Sequence, residues 1–301
     1  MILITGSQGL IGRHLGAFLE VSGQEVRRFD ITRDPAEDVR DPLALARALQ
    51  GVEGVIHLAA ISRVARAEAA PLECEATNVT AVGHLLRLCL EQSTRPWAIF
   101  ASSREVYGEP ERLPVGEGDA LAPLNVYGRS KARGEALMAR AAEAGLIANV
   151  CRLSNVYGCP LDHADRVVTA FAGAAARGGV MRVDGARCCF DFTCVGDVVS
   201  AIALLAQASA AGDRPTPVQF VSGRGTTLMD LALLARSFGR APVTIAEAPA
   251  RAYDVGRFIG DPRAASERLG WKATTPLEEG VEALVAAMPG SVAVPVLGQS
   301  G

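Results

Sequence analysis

The amino-acid sequence predicts an α/β fold, a doubly wound and mostly parallel sheet with a smaller α+β lobe beside it. Three observations carry this. Short apolar runs alternate with longer helical patterns through the first half of the chain. The central short runs are nearly continuous in apolar character, as strands buried on both faces by crossover helices should be. The chain has 301 residues, which at roughly 150 per domain corresponds to about two lobes with cores that need no disulfide or metal staple.

The elements follow in order. A strand at Ile2–Thr5 precedes a helix at Leu10–Val21, where Ile11, Leu15, Phe18 and Leu19 share one face. Further strands are expected at 25–29, 54–59, 98–102 and 147–153, with helical patterns at 42–48, 78–91 and 127–144 between them. Strand, helix, strand repetition implies an open parallel sheet. After Arg152 the alternation loosens, punctuated by Pro160, Gly173, Gly178-Gly179 and Gly185. There 194–207 reads as a loop and helix, and 227–238 and 262–269 as helices; from Pro289 onward small residues without a period predict a loosely held tail.

Composition excludes several classes. A charged fraction of 21% fits a folded chain, and a net charge of −3 offers no strong field for nucleic acid or an anionic membrane. No apolar run reaches the 18 or so residues of a membrane span, and Met1–Thr5 lacks the basic region of a secretory signal. Seven cysteines without a CxxC pair read as reduced thiols, and four histidines without HExxH spacing predict no metal site. A cytoplasmic protein is the expectation.

Gly6-Ser7-Gln8-Gly9-Leu10-Ile11-Gly12 lies where the first strand hands over to the first helix. Gly6 permits a tight turn, Gly9 lets backbone approach a pyrophosphate, and Gly12 lets the helix pack on the sheet. The amides of the helix start, Leu10 and Ile11 included, then face the phosphates with the helix dipole behind them. A plain turn with close packing uses the same glycines. Asp30 ends the next strand 18 residues after Gly12, where an acid binds a ribose 2′-hydroxyl and repels a 2′-phosphate. That favours NAD over NADP; the alternative is an ordinary loop acid.

Tyr127 and Lys131 stand four apart, neighbours on one helix face. An ammonium beside a phenol favours the phenolate and makes tyrosine a usable base. Upstream, Phe100-Ala101-Ser102-Ser103 reads as a strand running into the sheet's carboxyl edge, where Ser103 can bond the substrate oxygen whose proton Tyr127 takes. By itself the spacing also fits a surface pair.

With these motifs in place the chain resembles the extended short-chain dehydrogenase/reductase family, in its NAD-dependent nucleotide-sugar epimerase/dehydratase branch. The resemblance runs from Met1 to about Trp271 through Gly6-x-x-Gly9-x-x-Gly12, Asp30, Asp38-Val39, His57-Leu58-Ala59-Ala60, Asn78-Val79, Ser102-Ser103-x-x-Val106-Tyr107-Gly108, Tyr127-x-x-x-Lys131, Arg152-x-x-Asn155-Val156-Tyr157-Gly158 and Leu269-Gly270-Trp271. It implies a Rossmann lobe and a substrate-binding lobe that interleave. The NAD-binding lobe is expected at 1–160 plus about 188–213, the substrate lobe at about 161–187 and 214–290, and the tail at 291–301. It also implies that Asp38 and Val39 contact adenine and that Leu58, Ala59, Ala60, Asn78 and Ser102 face the cofactor, while Lys131 also holds the nicotinamide ribose. Asn155 and Arg251 would grip the diphosphate of a nucleotide sugar, although Asn155 also suits a turn and Arg251 a solvated loop. A homodimer through the helices at 78–91 and 127–144 is implied as well.

One departure matters. Many relatives carry Arg-Asp-Phe or Arg-Asp-Tyr where this chain has Phe190-Asp191-Phe192, so the phosphate-binding arginine is missing or replaced by Arg187. Among reactions, dehydration in this branch uses an acid and a glutamate after Ser103. Here Glu105 is present but Arg104 holds the acid's place, and arginine cannot donate a proton near neutral pH. Epimerisation asks only for Tyr127, Lys131, a serine and room for the ketone to turn. The expectation is a nucleotide-sugar 4-epimerase of the UDP-glucose/UDP-galactose kind, with a Glu105-dependent dehydratase or decarboxylase as alternative. A non-enzymatic dinucleotide-binding protein has no need for Tyr127 and Lys131.

Overall fold

The first strand, β1 (Ile2–Thr5), is buried along its whole length, so its alternating side chains serve two cores. Leu3 enters a cluster with Val55, Leu85 and Phe100, while Ile2 and Ile4 enter another with Leu15, Ile56, Ile99 and Ile202. Such two-sided burial requires helices on both faces. The computed structural model describes residues 1–214, 216–251 and 255–290 and has that architecture.

After β1 come α1 (Leu10–Val21), β2 (Val26–Phe29), α2 (Pro42–Ala48), β3 (Gly54–His57), α3 (Val64–Ala69) and α4 (Pro71–Glu75). A π turn at Ala76–Thr80 leads into α5 (Ala81–Glu91), followed by β4 (Trp97–Ser103), a 3-10 turn at Arg104–Tyr107, α6 (Val126–Glu143) and β5 (Ala148–Leu153). Then follow β6 (Asn155–Tyr157), α7 (Val167–Arg177), β7 (Gly179–Asp184), β8 (Cys189–Cys194), α8 (Val195–Ala210) and β9 (Val218–Phe220). The chain continues through β10 (Gly225–Thr227), α9 (Leu228–Ser237), β11 (Val243–Ala248), β12 (Arg257–Phe258), α10 (Arg263–Leu269) and α11 (Leu277–Ala287).

Six strands pair in the order β2-β1-β3-β4-β5-β9, all parallel. The order changes direction at β1, so the chain leaving β1 and the chain leaving β3 turn to opposite faces and leave a crevice at the carboxyl edge. A second sheet is centred on β8, with β10 antiparallel to it and β6 and β12 parallel. Its apolar core gathers Tyr107, Phe171, Met181, Phe192, Leu231 and Phe258. Strands β7 and β11 form a separate parallel pair.

Two segments pack elsewhere than expected. Residues 218–220, assigned from sequence to the second lobe, form β9 and complete the first sheet beside β5. Strand β8, assigned to the first lobe with the rest of 188–213, instead centres the second sheet; from that stretch α8 packs on the first lobe, against α1. A three-residue strand carries no readable alternation, and alternate residues of β8 suit either sheet. Helices α3, α4, α7 and α11 were also not anticipated. In α7 the buried set Val168, Phe171, Ala172, Ala175 and Ala176 mixes with glycine and small residues, which blurs the polar face. The expected tail at 291–301 lies outside the described residues. Among the described residues no helix is long and apolar enough to cross a membrane.

Helix α6 turns polar groups inward. The Glu135 carboxylate meets the Arg152 guanidinium at 2.7 Å and accepts a hydrogen bond from Ser102 Oγ, with Arg152 and Glu135 only 5% and 9% exposed. Arg152 Nη1 donates to the Tyr107 hydroxyl at 2.7 Å and to the Glu117 carbonyl at 2.9 Å. Each member is matched, which makes removal of one costly. Glu135→Ala is expected to destabilise the fold by about 3–5 kcal/mol by stranding a buried guanidinium; denaturant unfolding of the two proteins checks this.

Candidate active site

At the crevice between the β1 and β3 exits lies a cavity of about 750 Å³. The glycine loop forms one wall. Gly6 has φ +70°, and a Cβ there would sit 2.6 Å from the Ala59 amide nitrogen, so the two exits touch only because residue 6 has no side chain. At Gly12 a Cβ would come within 2.2 Å of the Gly6 carbonyl oxygen. Helix α1 starts at Gly9 with no side-chain cap and no acid in its first turn, so its orphan amides and positive dipole end are left for an anion.

Asp30 closes the same wall. Its Oδ2 accepts from the Gln8 amide at 2.8 Å, and Oδ1 accepts from the Thr32 amide at 2.8 Å. The acid thus ties the end of β2 to the glycine loop and still lines the cavity. Asp38 and Val39 line it too, with the Asp38 carboxylate 2.7 Å from Arg40, whose hydrogen bonds hold that carboxyl below the usual range. An uncapped helix start, side-chain-free loop positions and an acid at the strand end suit NAD. Gly6, Gly9, Leu10, Ile11, Gly12 and Asp30 would hold it, with Asp38, Val39, Leu58, Ala59, Ala60 and Ser102 along the rest of the cleft.

Tyr127 and Lys131 line the same cavity. Asn125 caps α6, its side chain accepting from the Gly128 amide at 2.7 Å, and sets Tyr127 and Lys131 one turn apart. Both are buried, at 8% and 3% exposure, and both line the cavity. Burial pushes the Tyr127 phenol up to about 12, partly opposed by a hydrogen bond with Ser103 and by the charge of Arg166. Burial draws the Lys131 ammonium down to about 8. Lys131 Nζ donates to the Ala101 carbonyl at 2.7 Å and lies 5.9 Å from the centre of the Tyr127 ring. Desolvation thus outweighs the opposing Ser103 hydrogen bond and Arg166 charge at this phenol. Beneath them, burial and the Lys131 charge take His57 down to about 3, and its Nδ1 stands 2.8 Å from Thr5 Oγ1.

Glu105 is buried and doubly engaged. Its Oε2 accepts from Asn125 Nδ2 at 2.8 Å, and its Oε1 lies 3.0 Å from Arg104 Nη2. Ser103, Arg104, Glu105 and Asn155 all line the cavity. Three residues named from sequence do not. Asn78 is buried behind the wall, its Oδ1 accepting from the Ile61 amide at 2.8 Å and its Nδ2 donating to Ser130 Oγ at 2.9 Å. Arg187 is exposed beyond β7, and Arg251 is exposed with its guanidinium 3.5 Å from Asp184. Asp191 is a structural anchor: its carboxylate accepts from the Ser222 amide at 2.9 Å and the Gly223 amide at 2.7 Å.

The sequence did not point to Arg63, Asp162 or Arg166, which also line the cavity. Arg63 Nη1 meets Asp165 at 2.6 Å and Arg166 Nη2 donates to Ser62 at 3.1 Å, joining two loops more than a hundred residues apart. No motif marks them; only the fold brings them to Tyr127. Among the described residues no group of three His, Cys, Asp or Glu side chains is placed to hold a metal ion. Gly12→Ala is expected to weaken NAD binding about tenfold or more, read by calorimetric titration, because the new methyl lands on the Gly6 carbonyl.

Residues 2–220 match the NAD dependent epimerase/dehydratase family. A UDP-glucose 4-epimerase of Halalkalibacterium halodurans is 27% identical over 312 aligned residues, which span 93% of each chain. The structure of MoeE5 in complex with UDP-glucose and NAD is 29% identical with a TM-score of 0.86, over 95% of this chain and 97% of that one. TunA, an NAD-dependent NDP-hexosamine 5,6-dehydratase of tunicamycin biosynthesis, is 28% identical with a TM-score of 0.85, over 95% and 96% of the two chains. With a family match across most of its length, the chain belongs to the NAD dependent epimerase/dehydratase family and is an NAD-dependent enzyme.

Proposed function

We propose that the enzyme is a nucleotide-sugar 4-epimerase in which Tyr127 takes the proton of the sugar 4-hydroxyl. The observation that carries this reading is the state of Glu105. Elimination needs a carboxylate free to pull a proton from carbon 5, and both oxygens of Glu105 are engaged, by Asn125 and by Arg104. Arg104 next to it cannot act as an acid. The groups left to move protons are Tyr127 and its partners Ser103 and Lys131, which is the set that epimerisation requires.

Bound NAD would supply the acceptor that takes hydride from the sugar carbon and gives it back. The protein's own work is to hold the hydroxyl against Tyr127 through Ser103, to keep a positive charge near the phenolate with Lys131, and to leave room for the ketone to turn. Asn155, which lines the cavity, would meet the substrate's diphosphate in this reading. A homodimer through α5 and α6 belongs to the same reading, and light scattering of the purified protein checks it.

Two outcomes are expected. Tyr127→Phe should lower turnover by about 10²–10⁴-fold while NAD stays bound, with products read by NMR from uridine-, thymidine- and guanosine-diphospho sugars. A 4-keto-6-deoxy sugar or a pentose as product would sink the epimerase reading in favour of dehydration or decarboxylation. Turnover should also depend on pH in one direction. The phenolate is the proton acceptor and its pKa lies well above neutrality, so the rate climbs with pH, and the climb stops near pH 8, where Lys131 gives up its charge.

A further inference from the structure

Two segments that line the cavity are also tied to each other. Residues 159–166 run between β6 and α7, and Ser62 and Arg63 lie between β3 and α3. Arg63 Nη1 meets the Asp165 carboxylate at 2.6 Å, and Arg166 Nη2 donates to Ser62 Oγ at 3.1 Å. Among the described residues these are the only hydrogen bonds or ion pairs joining 159–166 to anything but itself and α7. Inside, the stretch is braced. The Asp162 amide donates to the Cys159 carbonyl at 3.2 Å, and the Arg166 amide to the His163 carbonyl at 3.0 Å. The Asp162 carboxylate also lies 3.3 Å from Arg166 Nε. A stretch bonded within itself and tied outward at one place opens as a unit when that tie breaks.

Its place is the rim. Leu161 lines the cavity and is 75% exposed, and Asp165 is 60% exposed. Ile61, next to Ser62, packs with the buried Tyr127, so the tie is on the side of the cavity where the sugar reacts. A partly exposed ion pair and one hydrogen bond are weak, and salt screens the pair, so this tie can open and reclose.

Transient oxidation needs closure at one moment. After the first transfer the hydride is on the cofactor, the hydroxyl proton is on Tyr127, and the sugar is a ketone at carbon 4. A ketone that escapes then leaves the reduced cofactor stranded on the enzyme. Closing a site over an intermediate prevents such losses. We infer that residues 159–166 are a latch, fastened by Arg63–Asp165 and Ser62–Arg166, that keeps the ketone in the cavity until the hydride returns. The inference rests on the oxidation at carbon 4 in the 4-epimerase reading.

The test compares the native NAD-loaded enzyme with Asp165→Ala, Arg63→Gln and the swapped pair Arg63→Asp with Asp165→Arg. Amide hydrogen exchange of 159–166 should quicken about threefold or more in each single variant and slow again in the swap. Raising salt from about 0.05 M to about 0.5 M should quicken exchange in the native protein and leave Asp165→Ala unmoved. During turnover of diphospho-sugars, reduced nicotinamide absorbance should build up about threefold or more faster per turnover in the single variants. Melting temperature reports whether each variant folds.

Exchange that is alike in the native enzyme and the folded single variants overturns the latch, as does faster exchange with no extra stranded cofactor. If the variants do not fold, a native exchange rate indifferent to salt overturns it. Product identity is judged separately. A 4-keto-6-deoxy sugar or a pentose sinks the epimerase reading alone, since those reactions also pass through a ketone at carbon 4. If no diphospho-sugar reduces the bound cofactor, both fall.

Discussion

The first half of helix α6 packs a polar stripe against the carboxyl ends of β4 and β5, and the geometry of the site follows from that constraint. Tyr127, Lys131 and Glu135 recur every four residues along one buried face. Glu135 is fixed by Arg152 and Ser102, and Lys131 by the carbonyl of Ala101. A buried polar group must keep its partner, so the helix has one register against the sheet. Apolar packing alone would tolerate a small slide; a salt bridge and two hydrogen bonds do not. With the lower part of α6 pinned, the Tyr127 phenol is presented at the cavity beside Ser103.

The cofactor end is held by a different kind of constraint, which is steric. The exits of β1 and β3 run in contact at Gly6 and Ala59, and Gly12 brings α1 against the same turn. What remains at the start of α1 is backbone amides without a capping side chain. Asp30 bridges this turn to the end of β2 through the Gln8 amide, so the acid at the strand end also shapes the glycine loop. One cavity therefore joins a rigid glycine turn to a rigid polar helix. The second sheet contributes its part through β8, where Asp191 pins the turn at Ser222 and Gly223 while Phe190 carries the guanidinium of Arg104. The arginine that many relatives carry on β8 is thus absent, and the guanidinium of Arg104, from the turn after β4, stacks on the Phe190 that stands there.

Much of this was legible in the sequence because it is local. The strand–helix alternation, the glycine spacing, Asp30 at the end of β2 and the four-residue step from Tyr127 to Lys131 all concern neighbours along the chain, where periodicity and backbone geometry act directly. The less legible parts depend on contacts between distant segments. Asn78 belongs to a matching motif, yet it bonds Ile61 and Ser130 behind the cavity wall. Strand β9 is too short to announce itself and is recruited by β5.

Fold class, the glycine loop and the tyrosine–lysine pair follow from residue type at short separation along the chain. How those groups behave follows from the packing around them. Burial moved Tyr127 up and Lys131 down, because desolvation depends on everything packed around a group and not on its neighbours in the chain. The fold likewise decided that Glu105 is engaged, that Arg187 and Arg251 stand away from the cavity, and that Arg104 is the cation seated on Phe190. Those are distances across the cleft, and no spacing along the chain encodes them.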